Sequence, residues 1–338
     1  MRTEVQSSNI LPKISIIVVG YRMSRQLQNT LYSLSTAYQR NVSQEDYEVI
    51  VVENASDDNM GSEVVASLSG NFHYYLRNES AKTPVHAVNF ALEKCRGQTV
   101  GLIVDGARML TPHVLENVLL AQNFSLRSLV AIPGYHLGLD NQKENVSTGY
   151  DQQIEKQLLQ DIQWQQNGYR LFDIACFSSG NQRGYFQPMM ECSALFCNAE
   201  LLRSIGGADS RFTQLGGGSI NLHIYRSLGL MPDCRLFVLP GEGSFHQFHG
   251  GVTTSESVID REALLREFRE FIDSVWGERF QALRREAIQL GAITSPAQKF
   301  LLASAEHAVT RFNRLTANGA EFWPDDRLFV EYRTEQCR

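Results

Sequence analysis

The stretch Thr99-Val-Gly-Leu-Ile-Val-Asp105-Gly-Ala-Arg-Met-Leu-Thr-Pro112 reads as a buried strand that stops at a carboxylate. Residues 99–104 form a short apolar run, the length expected for a parallel strand covered on both faces. Gly106 lets the backbone turn tightly against a neighbour. Thr111-Pro112 predicts a helix start, with Thr111 as N-cap and Pro112 in the first helical position. Asp105 then falls at the carboxyl end of a strand, where open α/β sheets bind their ligands. A strand-end aspartate can equally serve to cap its own loop, and the stretch alone leaves both readings open.

The residues around it repeat a strand–helix alternation. Ile14–Val19 is a first strand closed by Gly20-Tyr21, and Ser24 caps a helix with Leu27, Leu31, Leu34 and Tyr38 at helical spacing. Tyr47–Val52 is a second strand, ending in Glu53-Asn-Ala-Ser-Asp-Asp58. Residues 61–68 make a short helix, 72–76 a third strand, and Thr83-Pro84 opens a helix that carries Val85, Val88 and Leu92 inward. After the Asp105 strand come a helix from Pro112 to about Ala121 and a strand over 129–132. Such alternation predicts an α/β fold with a mainly parallel central sheet flanked by helices and joined by right-handed crossovers.

Composition narrows the function classes. The 338 residues are 43% hydrophobic and 20% charged, with a net charge of −6. That balance offers no basic field for nucleic acid or an anionic membrane. No stretch reaches the ~18–20 apolar residues of a membrane span, and the N-terminus has no apolar signal core. The six cysteines (95, 176, 192, 197, 234 and 337) lack paired metal spacing, so reduced thiols in the cytoplasm are the simplest account. Without an export signal, Asn41-Val-Ser and Asn78-Glu-Ser are read as chance matches to glycosylation triplets.

The alternation suits a nucleotide-binding protein, yet the glycine-rich phosphate loops are missing. No Gly-x-Gly-x-x-Gly follows the first strand and no Gly-Lys-Ser/Thr occurs, which argues against dehydrogenases and P-loop enzymes. A bound diphosphate would need a metal ion or scattered polar groups, which returns attention to Asp105. Residues 135–190 lose periodicity and gather Gln-rich stretches, Tyr150, Trp164, Tyr169, Phe172 and Gly180-Asn-Gln-Arg-Gly184. They suit an acceptor-binding region or a plain insertion. Later, His246 and His249 lie among glycines in Phe237–Gly251, as structural residues or as part of a site. Beyond 255 the chain turns helical, with Leu264, Phe268, Phe271, Ile272 and Val275 in one stripe. Arg261, Arg266, Arg269, Arg284 and Arg285 mix with Glu on the opposite face. This reads as a solvated face, with peripheral membrane contact as the other reading.

Ile14–Tyr21, Val49–Asp58 and Val100–Ala107 together resemble the nucleotide-sugar half of family-2 glycosyltransferases with the GT-A fold. Tyr185–Tyr225 resembles the family's later portion, with Gly206-Gly-Ala-Asp-Ser-Arg-Phe212 in place of its Gly-Gly-Phe-Asp-x-Arg-Phe turn. The likeness covers roughly residues 12–252. It implies a nucleotide-sugar-binding half over 12–132, an acceptor-binding and catalytic half over 133–254, and a C-terminal helical region over 255–338.

Position by position, the resemblance lays Val19, Gly20 and Tyr21 along the nucleotide. Glu53 takes the place of the acid that accepts the uracil N–H, with Asp57 or Asp58 nearby. Asn89 in His86-Ala-Val-Asn-Phe90 matches the family's Ala-Arg-Asn helix, with Val88 in place of the Arg. Asp105 and Gly106 match the start of the Asp-x-Asp motif, whose last Asp is replaced by Ala107. His246 or His249 would complete the metal site, and imidazole beside carboxylate favours Mn²⁺ over Mg²⁺. The Gly-Glu-Asp turn that carries the family's base is here Gly216-Gly-Gly-Ser-Ile-Asn221, with no acid. Glu191 or Asp209 could replace it, Asp209 reading more readily as a turn residue, or the reaction retains configuration and needs no base. The implied activity is metal-assisted transfer from a UDP- or GDP-linked sugar to a glycan or small-molecule acceptor, in the building of surface polysaccharide. Sugar nucleotidyl transfer and a degenerate GT-A protein that binds without turnover are the alternatives.

Overall fold

Three consecutive runs of buried, largely β-branched residues set the architecture, because each needs cover on both faces. In the computed structural model, which describes residues 11–138, 149–187, 189–249, 258–317 and 319, they become neighbouring strands. The chain begins β1 (Ile14–Gly20), α1 (Ser24–Ser33), β2 (Tyr47–Asn54), α2 (Ser62–Ala66), β3 (Phe72–Arg77) and α3 (Val85–Lys94). It continues β4 (Thr99–Ile103), β5 (Arg108–Leu110), α4 (Val114–Phe124), β6 (Ser128–Ala131), β7 (Gly134–Leu137) and α5 (Gln152–Asp161). Next come β8 (Ala175–Phe177), β9 (Ala194–Asn198), α6 (Ala199–Ser204), α7 (Ile220–Gly229), β10 (Arg235–Val238) and β11 (Ser244–His246). The last elements are α8 (Val258–Trp276), β12 (Ile288–Gln289) and α9 (Gln298–Ala317).

Eight strands form the main sheet in the order β12-β10-β6-β9-β4-β1-β2-β3, parallel except at β9. Alternate residues of β1 and β2 serve opposite faces. Ile17, Val19, Ile50 and Val52 pack into one apolar core, and Ile16, Val18, Val49 and Val51 into the other. The C-terminal region is largely helical, and its short β12 extends the main sheet beyond β10. Phe268 and Ile272 of α8 are buried, and Phe271 and Val275 pack against the same core. Among the described residues no helix is long and apolar enough to cross a membrane. Cys337, Gly250, Gly251 and the side chain of Arg261 lie outside the described residues.

A second, smaller sheet in the order β5-β11-β7-β8 draws β5, β7 and β11 from the segments that follow β4, β6 and β10 of the main sheet. It accounts for a departure from the expected helix start at Thr111. The Thr111 hydroxyl donates to buried Glu242 at 2.5 Å and accepts from the Gly243 N–H at 2.9 Å, so α4 begins only at Val114. Ser24 likewise turns its hydroxyl to Asp58 instead of capping α1. In both places a long-range carboxylate has taken the hydroxyl from the helix end. The strand expected over 190–196 begins only at Ala194, and it runs against its neighbours β4 and β6.

Gly101 in the middle of β4 faces Phe196 of β9, and an added Cβ would collide with the Phe196 ring. The substitution Gly101→Val should lower stability by roughly 1–3 kcal/mol through overpacking. Urea denaturation reads this directly, and an unchanged midpoint would show that the ring has room to move.

Candidate active site

The β4 strand ends at Ile103, and Asp105 turns into a half-buried position two residues later. Gly106 is needed there, since a Cβ would lie 2.7 Å from the Val19 carbonyl. Its own carbonyl accepts from the Thr30 hydroxyl at 2.7 Å, which ties the turn to α1. The Ala107 N–H donates to Asp105 Oδ1 at 2.9 Å, and Ala107 is fully buried.

The chain then enters β5, which pairs antiparallel with β11 and sets His246 opposite Arg108. His246 Nε2 approaches Asp105 Oδ2 at 2.9 Å and His249 Nε2 at 3.0 Å, while His249 Nε2 lies 3.8 Å from Asp105 Oδ1. Sequence reasoning left open which histidine reaches Asp105, and the fold brings both. The three candidate ligand atoms lie within 4.8 Å of one another. Metal–ligand bonds of about 2.1 Å at right angles place adjacent donor atoms about 3.0 Å apart, so this donor set fits a divalent ion.

Charge agrees with that geometry. Burial holds the His246 imidazole down to about 4, against the pull of Asp105, so it is neutral at pH 7, the form that ligates a metal. Burial pushes the Asp105 carboxyl up, but His246, Arg108 and His249 outweigh it and hold the group well below the usual carboxylate range. The site therefore presents one carboxylate and neutral imidazole nitrogen.

The backbone between the two histidines is anchored on α1 and α5. The Gln247 N–H donates to the Ala107 carbonyl at 2.8 Å, and its side chain is fixed by Asn29 and the Gln26 carbonyl. The Phe248 carbonyl accepts from Gln26 Nε2 at 2.7 Å and Arg25 at 3.0 Å. The Phe248 N–H donates to Glu155 Oε2 at 2.6 Å, and Glu155 pairs with Arg25 at 3.2 Å. Nothing in the local pattern around Glu155 marked it, because its role exists only through these long-range partners.

The other candidates fall in distinct surroundings. Val19 is buried, and Gly20 stands in register with Glu53 at the adjoining strand ends. Tyr21 is exposed beside them. Glu53 is fully buried: its Oε2 accepts from the Met60 N–H and the Tyr74 hydroxyl, and its Oε1 has no hydrogen-bond partner. Asp57 is exposed and paired with Arg22, while Asp58 holds Ser24. Asn89 is spent on the fold, since its amide brackets the Ala208 backbone at 2.8 Å on both sides. Asp209 clasps Arg211 and lies 3.7 Å from His223, the surroundings of a turn residue. Glu191 lies a few residues before β9, which runs antiparallel to β4 and pairs Ala194 with Ile103. That register carries Glu191 to the end of the sheet where Asp105 lies. Asn221 donates to Glu191 Oε2 at 2.9 Å and to Ser193 Oγ at 3.1 Å.

The profile described as Glycosyl transferase family 2 matches residues 15–187. No curated protein matches the chain by sequence. Among solved structures, S. aureus TarS 1-349 in complex with UDP-GlcNAc aligns at 14% identity and a TM-score of 0.48, covering 90% of this chain and 75% of that one. The mannosyltransferase PcManGT from Pyrobaculum calidifontis, in complex with GDP-Man and Mn²⁺, aligns at 14% identity and a TM-score of 0.45, covering 98% and 82%.

Glu155 gives a pH test of the anchored segment. Burial raises its carboxyl to about 7, despite the hydrogen bond from Phe248 and the Arg25 charge. A raised acid contributes stability below its unfolded value of 4.5 and loses it as pH rises through about 7. Relative to Glu155→Gln, the native protein should lose melting temperature between about pH 5 and about pH 8. A difference that stays constant across that range would remove the assignment.

Proposed function

Because the chain belongs to glycosyl transferase family 2 and has the mixed α/β architecture of the GT-A class, we propose that it transfers a sugar from a UDP- or GDP-linked donor to a glycan or small-molecule acceptor. The observation that carries this reading is the convergence of Asp105, His246 and His249 at the end of β4. These residues would hold Mn²⁺ or Mg²⁺, with imidazole nitrogen favouring Mn²⁺. Such an ion supplies Lewis-acid charge to the diphosphate that departs from the sugar.

This chain's own groups take the remaining tasks. The unpartnered Oε1 of Glu53 is an acceptor for an N–H of the donor's base, at a strand end where a Cβ on Gly20 would press against the Glu53 side chain. Glu191 is the carboxylate for the acceptor hydroxyl: it removes that proton as the oxygen attacks the anomeric carbon, which inverts configuration. Asn221 fixes one carboxylate oxygen of Glu191, and Gly180 packs against its stem. Cys95, Cys192 and Cys197 are buried reduced thiols, which supports a cytoplasmic setting. A second reading, nucleotide-sugar binding without turnover, is favoured by Ala107, whose burial leaves the site a single carboxylate.

Two experiments test the proposal. Asp105→Ala and His246→Ala should each weaken Mn²⁺ binding at least about tenfold by calorimetry and abolish EDTA-sensitive donor hydrolysis. Metal-independent turnover equal to that of the native protein would remove the metal role. Glu191→Gln should cut transfer on the order of 10²-fold while leaving nucleotide affinity unchanged. A full rate in that variant leaves no base at Glu191, and no product in any condition favours the binding protein.

A further inference from the structure

The small sheet sets a row of reactive side chains across its four strands. Register pairs Arg108 with His246, His246 with His136, and His136 with Cys176. Residues directly opposite on paired strands point to the same face, so four separate segments contribute to one row. The His136 and His246 ring centroids are 5.5 Å apart, edge to face. Arg108 stands at one end of this row, three residues after Asp105 in the chain.

Arg108 is costly as placed. Its side chain is 11% exposed, and its Nε is buried with no hydrogen-bond partner. The nearest acid oxygen, Asp105 Oδ2, lies 3.5 Å away and is already approached by His246 at 2.9 Å. A guanidinium offers five N–H donors and cannot shed its charge. The orphaned Nε–H is the costly part, because a buried donor without a partner is unfavourable unless an acceptor completes it.

The fixed charges leave room for a further anion. Asp105 contributes one negative charge and Arg108 one positive, so the pair sums to zero. An Asp-x-Asp pair would carry two negative charges at the same strand end. The Ala107 and Arg108 combination therefore makes the site two charge units more positive before any ion binds. Guanidinium matches phosphate oxygens by bidentate hydrogen bonding, which a neutral sugar does not repay.

We infer that Arg108 is a permanent cationic contact for the diphosphate of the donor, binding its phosphate oxygens alongside the Asp105–His246–His249 cluster. The inference rests on the nucleotide-sugar reading of that cluster. When the sugar–phosphate bond breaks, the electron pair stays on the phosphate oxygen, and the fixed positive charge at Arg108 stabilises it there. The partly emptied acidic motif is then offset by a cation built into β5.

Calorimetric titration of the full chain with uridine, UMP and UDP, and with the guanosine series, separates this role from a structural one. Each series is run in EDTA and again with Mn²⁺. The native protein should bind the diphosphate in EDTA more tightly than the nucleoside. Arg108→Gln should lose roughly ten- to a hundredfold of diphosphate affinity in EDTA, the loss of one charge-assisted contact, and leave nucleoside affinity unchanged. Arg108→Lys should recover part of that loss, and it preserves the charge near Asp105 if the Gln variant folds poorly. Equal loss of nucleoside and diphosphate affinity would make Arg108 a structural counter-ion, and unchanged diphosphate affinity overturns the inference outright. Diphosphate binding that is unaltered by Arg108→Gln yet weakened by Asp105→Ala sinks the inference alone. Absence of binding by every nucleoside and nucleotide sinks the donor reading with it.

Discussion

The pairing of β5 with β11 is the constraint on which the site depends. It returns a late segment of the chain to the end of β4 and sets His246 against Asp105 at 2.9 Å. The same pairing continues through the bond from the Gln247 N–H to the Ala107 carbonyl, which covers residue 107 completely. A carboxylate at 107 would sit under that cover with no room for water, an expensive place for a charge. The burial of residue 107 and the convergence of the histidines on Asp105 thus follow from one backbone arrangement. On the proposed reading the site exchanges a carboxylate for imidazole, because the strand that delivers the imidazole buries the carboxylate's position.

Much of the main sheet could be read from the sequence, for a physical reason. Residues 14–19, 47–52 and 99–103 are covered on both faces, so their composition announces burial without knowledge of any partner. The turn at Gly106 was equally legible, since only a residue without Cβ tolerates the Val19 carbonyl at that distance. The small sheet was not legible. Its strands are three or four residues long, below the length at which alternation forms a pattern, and they come from four places in the chain. Arg108 and His136 owe their placement to that sheet and escaped notice for the same reason. Thr111 and Ser24 carried sound local capping signals, but Glu242 and Asp58 bind their hydroxyls from a distance.

Buried acids show how environment separates residues that look alike in sequence. Glu242 is satisfied by Thr111 and Tyr169 and stabilises the junction between the sheets. Glu155 serves the backbone between His246 and His249, so it supports the site without facing it. Glu53 has one oxygen committed to Met60 and Tyr74 and the other buried without a partner, an arrangement that costs stability unless a donor group arrives. Of the three, only Glu53 has spare hydrogen-bonding capacity at a strand end, which is why the proposed reading gives it the donor's base.

The antiparallel direction of β9 bears most directly on the proposed chemistry. A parallel strand beside β4 would place its start at the opposite end of the sheet from Asp105. Because β9 runs the other way, the residues that precede it lie beside the end of β4, and Glu191 is among them. The stretch 216–221 contains no acid, yet its last residue, Asn221 at the start of α7, donates its amide to both Glu191 and Ser193. An amide there is compatible with a neighbouring carboxylate, whereas a second acid would repel it and raise the pKa of one of the pair. The missing acid in that stretch and the carboxylate just before β9 are therefore consistent with each other: on the proposed reading, Asn221 orients the base that Glu191 supplies.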